Sequence, residues 1–377
     1  MSLVNFPRCS PTLLQLEGRY TPAVFQVKSL VWDVTKANSV PWCIAQTNVT
    51  PGQDTITFDT VALGTNTPVF KVPFDESVEI TEGVVLDAGV GPNYATFRDF
   101  RPFIFRQEGT VRDSVIIGGV FDQCNVIPAN KNATIKDGGA ICVFDGNLTV
   151  INSRFTDNKA EHGGAIMVEV GSIAPKPVLT IAGDPAMATP DPTNYPEQQG
   201  RGVTLFKGNT AESGGAITIK GEGVLQRGWF VENKATATDG GAIEVTRELQ
   251  APKFQQGGVL CSPDVQFLRN EAIDNGGGIN FNTLDPCSLT GITFTGNKVT
   301  GVGSKGGGLA TDGGKMALVD CNFYGNSALA TGGGIYVSGG TLTATRATFS
   351  QNIAPPPGEH WAVAGAGVFV GINCVYI

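Results

Sequence analysis

Phe230-Val231-Glu232-Asn233-Lys234-Ala235-Thr236-Ala237-Thr238-Asp239-Gly240-Gly241-Ala242-Ile243 holds the two motifs that decide the fold. A phenylalanine is followed three places on by an asparagine, and a glycine pair then runs into a small residue and an aliphatic one. Outward from this stretch, the first motif recurs as Phe155/Asn158, Phe206/Asn209, Phe267/Asn270, Phe294/Asn297, Phe323/Asn326 and Phe349/Asn352. The second recurs as Gly163-Gly164, Gly214-Gly215, Gly276-Gly277, Gly306-Gly307 and Gly332-Gly333, with an earlier copy at Gly138-Gly139 and a degenerate one at Gly365-Ala366-Gly367. Two motifs alternating in fixed order are an internal repeat, of about 25 to 30 residues in its usual form.

Within the repeat, Leu148 to Phe155 and Leu342 to Phe349 alternate at period two, and no segment sustains a helical period. Short strands at a period too short for a propeller blade, separated by glycine and asparagine turns, predict an all-β chain: a right-handed parallel β-helix, or β-solenoid, with an N-terminal capping region. Right-handedness follows from the preference of parallel crossovers. Stacked coils bring equivalent Phe and Ile/Leu residues about 4.8 Å apart into apolar ladders. The glycines are expected at tight, left-handed corners, and the asparagines at corners too, where a column of amides can exchange hydrogen bonds between coils.

Composition narrows the function. The chain has 377 residues, 50 of them glycine, only two histidines and a net charge of −8. An acidic chain opposes attraction to nucleic acid or anionic lipid, so no nucleic-acid partner is expected. No run of about 18 apolar residues exists, so no direct membrane span is expected, and Met1 to Ser10 lack the basic-then-apolar pattern of a signal peptide.

The paired F-x-x-N and G-G-A-I motifs, over about residues 121 to 370, resemble the repeats of the chlamydial polymorphic membrane proteins and of related β-helix surface proteins. Ile44 to Phe58, which contains Asn48, Pro51, Gly52, Asp54, Thr55, Ile56 and Phe58, is similar to the segment that leads into the first coils of such proteins. The resemblance implies display on a cell or particle surface, outside the cell, and adhesion. Against that family's pattern, neither a signal peptide nor a C-terminal membrane barrel is expected here.

Residues 1–42 carry no repeat and are expected to form a cap or docking segment; residues 43–377 are expected to form about 12 coils. A proline-rich insertion at about 172–200 stretches one period to 51 residues and reads as a protruding loop. The expected function is that of a non-enzymatic structural or adhesive surface protein. It would assemble with itself or neighbouring subunits and display loops to cell-surface proteins or glycans. The alternatives are a polysaccharide lyase or glycosidase, or an ice- or crystal-binding solenoid suggested by Thr341, Thr343, Thr345 and Thr348. No cofactor and no metal site is expected. Asp137, Asp239 and Asp312 each stand just before a glycine pair and read as turn formers, Asp157 and Glu232 as solvent-facing, and His162 and His360 as surface residues without an acid partner. Cys261 and Cys287 precede their phenylalanines by six and seven residues, so they should come within disulfide range on adjacent coils. Asn48, Asn132 and Asn147 stand in glycosylation sequons. The final stretch, nearly free of charge, marks Val375 and Ile377 as an end-on assembly surface.

Overall fold

The computed structural model describes residues 22–50, 52–89, 94–106, 112–127, 133–170, 177–184, 202–246, 259–261, 264–283, 286–354, 367–370 and 374–376. The strands lie in four all-parallel sheets, of 12, 10, 10 and 4 strands among the described residues. Each sheet takes one strand from each successive coil, so the fold is a parallel β-helix. The 12-stranded sheet is called here the long sheet. The sheet containing Arg154–Thr156 is the Phe sheet, and that containing Ile166–Val168 the Ile sheet. No helix among the described residues is long and apolar enough to cross a membrane.

The interior follows from what stacks. Ring centroids along Phe121, Phe155, Phe206, Phe230, Phe267, Phe294, Phe323 and Phe349 are 4.6–5.0 Å apart, and their planes lie within 12° of parallel. The stack reaches two coils further upstream than the sequence repeat, through Phe97 and Phe70, at 5.3 and 5.4 Å and about 20° of tilt. Beside it runs a buried amide ladder. Asn233 Nδ2 donates to Asn270 Oδ1 at 2.9 Å and to the Phe206 carbonyl at 3.0 Å, while its own Oδ1 accepts from the Asn209 amide N–H and Nδ2. All four hydrogen-bonding positions of the amide are filled, which removes the penalty of burying it. Asn297 repeats the arrangement: its Nδ2 donates to Asn326 Oδ1 and to the Phe267 carbonyl, both at 2.9 Å, and its Oδ1 accepts from the Asn270 N–H and Nδ2. The ladder as a whole runs from Asn158 to Asn352. In the coil before, Cys124 occupies the asparagine position, where its N–H donates to Asn158 Oδ1.

The expectation that the asparagines themselves form the left-handed corners is corrected. None of Asn158, Asn209, Asn233, Asn270, Asn297, Asn326 and Asn352 has a positive φ. The corner falls on the residue before each: Asp157, Glu232, Arg269 and Gln351, at φ between 52° and 56°, alternate with Gly208, Gly296 and Gly325. The asparagine is thereby turned inward, where its amide finds partners, instead of outward. Within the glycine pair the two residues differ in role. Gly214 has φ +57°, and Gly215 lies so close to the next coil that an added Cβ would overlap the Gly241 carbonyl oxygen.

Two boundaries move from their expected places. Val24–Val27, inside the expected cap, already pairs in parallel with Asp54–Phe58 and is the first rung of the long sheet. The covering element is the helix Val40–Thr47, capped by Ser39, whose Oγ accepts from the Trp42 N–H at 3.1 Å. It straddles the expected boundary at 42/43, and its Val40, Cys43 and Ile44 join the core. Val178–Ala182, inside the expected insertion, is a full rung paired to Leu148–Ile151 and to Glu222–Leu225. Its alternating Val-Leu-Thr-Ile-Ala follows Pro177, which has no N–H to give but whose carbonyl accepts from the Glu222 N–H at 2.9 Å, a place at the strand's start that a proline can take. The Pro-rich stretch proper lies outside the described residues.

Candidate functional site

With the interior filled, chemistry is confined to the outside of the coils. On the long sheet, alternation turns one column of side chains outward through ten successive strands. The register runs Thr55, Val85, Val115, Thr149, Thr180, Val224 and later Ser288, Ala317, Thr343. A second column, two residues further along each strand, reads Thr57, Asp87, Ile117, Ile151, Ala182, then Thr290, Val319, Thr345. Asp87 is the single charge among the described residues of the two columns. Almost all these side chains are half-buried, as expected for short residues on a flat sheet. Threonine does not persist from rung to rung, since Thr343 stands opposite Ala317 and that opposite Ser288, so no threonine ladder forms.

The outer face of the Ile sheet is built differently. Its outward column is Ile104, Cys142, Met167, Thr218, Glu244, Asn280, Ala310 and Tyr336. From Ile104 to Ala310 these side chains are buried although they point away from the core. The residue before each glycine pair forms a second column alongside: Asp137, His162, Ser213, Asp239, Asn275, Lys305 and Thr331. Backbone bridges join His162 to Ser213 and Lys305 to its neighbours Asn275 and Thr331. Small glycines let the two columns close on each other, and at Gly214 an added Cβ would collide with Thr218 Oγ1.

Titratable groups gather in this strip. His162 Nδ1 lies 2.7 Å from Asp137 Oδ1, a bond that raises the imidazole above its usual range. Asp239 Oδ1 accepts from the Asn275 N–H at 2.8 Å and from its Nδ2 at 2.9 Å, yet burial pushes this carboxyl up to about 6. Glu244, 7% exposed, is pushed to about 7 by burial and by the charge of Asp239, against a hydrogen bond from Ser213 and the charge of His162. Glu244 Oε2 and both amide atoms of Asn280 have no hydrogen-bond partner. No three of His, Cys, Asp and Glu converge into a metal-binding group among the described residues.

Two expectations are therefore corrected. His162 does have an acid partner, because Asp137 and His162 occupy the same column one coil apart. Asp239 is more than a turn former, since it is half-buried and its Oδ1 accepts from Asn275 on the next coil. Asp312 keeps the simpler role and accepts from Ser338 Oγ at 2.8 Å; His360 lies outside the described residues. Asp157 and Glu232 sit at the left-handed corner, and Glu232 pairs with Arg269 at 2.9 Å across coils. Glu244 and Asn280 escaped the motif reading because they belong to neither motif. Their signal is the column immediately after the aliphatic residue of each glycine motif, which turns from apolar at Cys142 and Met167 to polar at Thr218.

Cys261 and Cys287 do reach adjacent rungs, but Cys261 stands opposite Leu289 and Cys287 opposite Met316, an offset of two residues, and no disulfide joins them. Both are buried. Of the sequons, Asn48 Nδ2, at the C-terminal end of the helix Val40–Thr47, donates to the Glu79 carbonyl at 2.7 Å, and Asn147 Nδ2 bridges neighbouring strands by donating to Asp113 Oδ1 at 2.9 Å. Asn132 lies outside the described residues. At the C-terminal end Val375 pairs with Thr341, and Ile377 lies outside the described residues.

No curated protein and no solved structure matches the chain. Residues 320–338, which contain Phe323, Asn326 and the glycines from 332 to 334, match the family model of the Chlamydia polymorphic membrane protein repeat. The chain thus carries a repeat of that surface-protein type within a parallel β-helix.

Proposed function

We propose that this chain is a non-enzymatic structural subunit displayed on a cell or particle surface, and that it associates with a second copy of itself through the outer face of the long sheet. The observation that carries this is the double column from Thr55 to Thr343, in which Asp87 is the single charge among the described residues, with Asp113, Glu222 and Lys315 along its edge. A monomer seldom leaves so long a half-apolar face to water. At about 4.8 Å per rung and about 13 Å across two columns, ten rungs offer about 600 Å². Two copies bury about 1,200 Å², the lower limit of a stable interface, and sheets with short side chains pack face to face at about 10 Å. The matched repeat of a surface-protein family supports the location.

The test is light scattering of the purified chain and of a Thr149→Lys/Thr180→Lys variant. The wild type is expected to associate at micromolar concentration, and the variant to remain monomeric while keeping its far-ultraviolet β spectrum. A wild type that stays monomeric at high concentration overturns the reading, as does a variant that associates equally well.

A further inference from the structure

We propose that a hard divalent cation of the calcium class binds on the outer face of the Ile sheet, held by Glu244 Oε2, Asn280 Oδ1 and the carboxylate of Asp239. The inference stands apart from self-association, which uses a different sheet. It begins from three polar atoms that find no partner: Glu244 Oε2 and the Oδ1 and Nδ2 of Asn280. The two residues are 7% and 1% exposed, project from the same face and are paired in register on adjacent strands. Burying unpaired oxygen ligands side by side is costly unless something occupies the space between them.

The repeat brings a third oxygen donor to the same place. The residue before a glycine pair meets the outward residue of the next coil: Ser213 bonds Glu244, and Lys305 Nζ lies 4.8 Å from the Tyr336 ring centre. By the same step Asp239 stands beside Asn280. Its Oδ1 is engaged by Asn275, which leaves Oδ2 for a ligand. Charge points the same way. Burial opposes ionisation of both carboxyls, and each also feels another acid: Asp239 acts on Glu244, and Asp274 and Asp312 act on Asp239. The cationic group acting on Glu244 is His162, already bonded to Asp137.

The donor set selects the ion. Two carboxylates, an amide oxygen and water suit a hard cation, whereas zinc or copper would need the His and Cys convergence that the described residues lack. Magnesium demands a small regular octahedron, while calcium accepts irregular oxygen sets at about 2.3–2.6 Å. Sites of this kind on extracellular modules have Kd values of about 10⁻⁴–10⁻³ M, so the ion would load at millimolar calcium and leave in a chelator.

Thermal unfolding of the full chain, stripped with chelator and then titrated with calcium chloride, tests this. Wild type is expected to rise by about 3 °C at calcium a hundredfold above Kd. Magnesium chloride should give a smaller shift, and Glu244→Gln and Asp239→Asn should lose the calcium response. Both variants are isosteric and remove a buried charge, so they should fold, and terbium luminescence sensitised by nearby aromatic residues reads binding directly. Absence of both a calcium shift and terbium luminescence in folded wild type overturns the proposal. So does a response that survives in both variants, or a crystal grown in calcium showing only a water at about 2.8 Å between Glu244 and Asn280.

Discussion

The long sheet and the Ile sheet are built from the same coils, yet their outer faces have opposite characters. On the long sheet, the two outward columns that begin at Thr55 and Thr57 are of mostly short, half-exposed side chains with Asp87 the single charge among the described residues, while Asp113, Glu222 and Lys315 stand one column earlier on the same face. On the Ile sheet the outward side chains are buried and include Glu244, Asn280 and Thr218. The difference comes from the turns that lead into the two sets of strands. The turn before the Ile sheet carries the glycine pair, so successive coils approach closely there and the residue ahead of the pair folds over the outward column. Before the long sheet a glycine pair stands in only some of the turns, Gly313-Gly314 and Gly339-Gly340 among them, and the outward residues that follow stay half-exposed. One solenoid thereby offers a flat face suited to association and a closed strip suited to holding a small ligand.

The largest expected effect comes from blocking the close approach itself. Gly215→Ala places a methyl group against the Gly241 carbonyl oxygen, backbone against side chain with no flexible atom to yield. A loss of at least about 3 kcal/mol is expected in urea or guanidinium unfolding. Gly325→Ala is the control: its φ is +63° and an added Cβ meets nothing within 4 Å, so only the left-handed cost of about 1–2 kcal/mol applies. Equal losses would mean that the glycine pairs serve conformation alone, and the account of the closed strip would fail.

The two faces can then be compared with one substitution on consecutive strands of a single coil. Met167→Lys buries an ammonium group among Ile104 and Cys142, where wild-type Met167 is 1% exposed, and should cost about 3 kcal/mol or more. Thr180→Lys lets the same side chain reach water from a half-buried position and should change folding by no more than about 0.5 kcal/mol. Chemical unfolding of the two variants decides it, and similar costs would remove the distinction between the faces.

Much of this architecture was legible in the sequence, because a repeat makes each ladder visible as a recurring letter. Phe155 to Phe349 and Asn158 to Asn352 announced the inner stack and the amide ladder. Three features stayed hidden, for physical reasons. Phe70 and Phe97 stack without an asparagine three places on, so the first coils lack the motif although they share its geometry. Val178–Ala182 is a rung set between proline-rich stretches, and local composition concealed a strand fixed by its neighbours above and below. The polar strip was hidden because alternation along one strand says that Glu244 points outward but not that the next turn closes over it. Burial of an outward residue is a property of two coils together, and so is the contact of exposed His162 with Asp137, 25 residues apart in sequence.

The smallest effect sharpens that last point, because it depends on Glu244 being shielded from water. Its carboxyl is raised from an ordinary 4.5 to about 7. Between those values the folded chain holds a proton that the unfolded chain has released, so raising the pH draws the equilibrium toward the unfolded state. The contribution is fully present below about pH 4.5 and is lost as pH rises through 7, a span worth about 3 kcal/mol at most. Asp239, raised to about 6, adds a slope of the same sign. In chelator, wild type should therefore lose stability from pH 5 to 8, and Glu244→Gln should follow a flatter profile and be the more stable of the two at pH 8. Calcium should reverse the trend in the wild type alone, since the ion requires the carboxylate that acid protonates. Parallel profiles for wild type and variant in chelator would mean that Glu244 titrates like an exposed acid and that the Ile-sheet strip is as open as the long-sheet face.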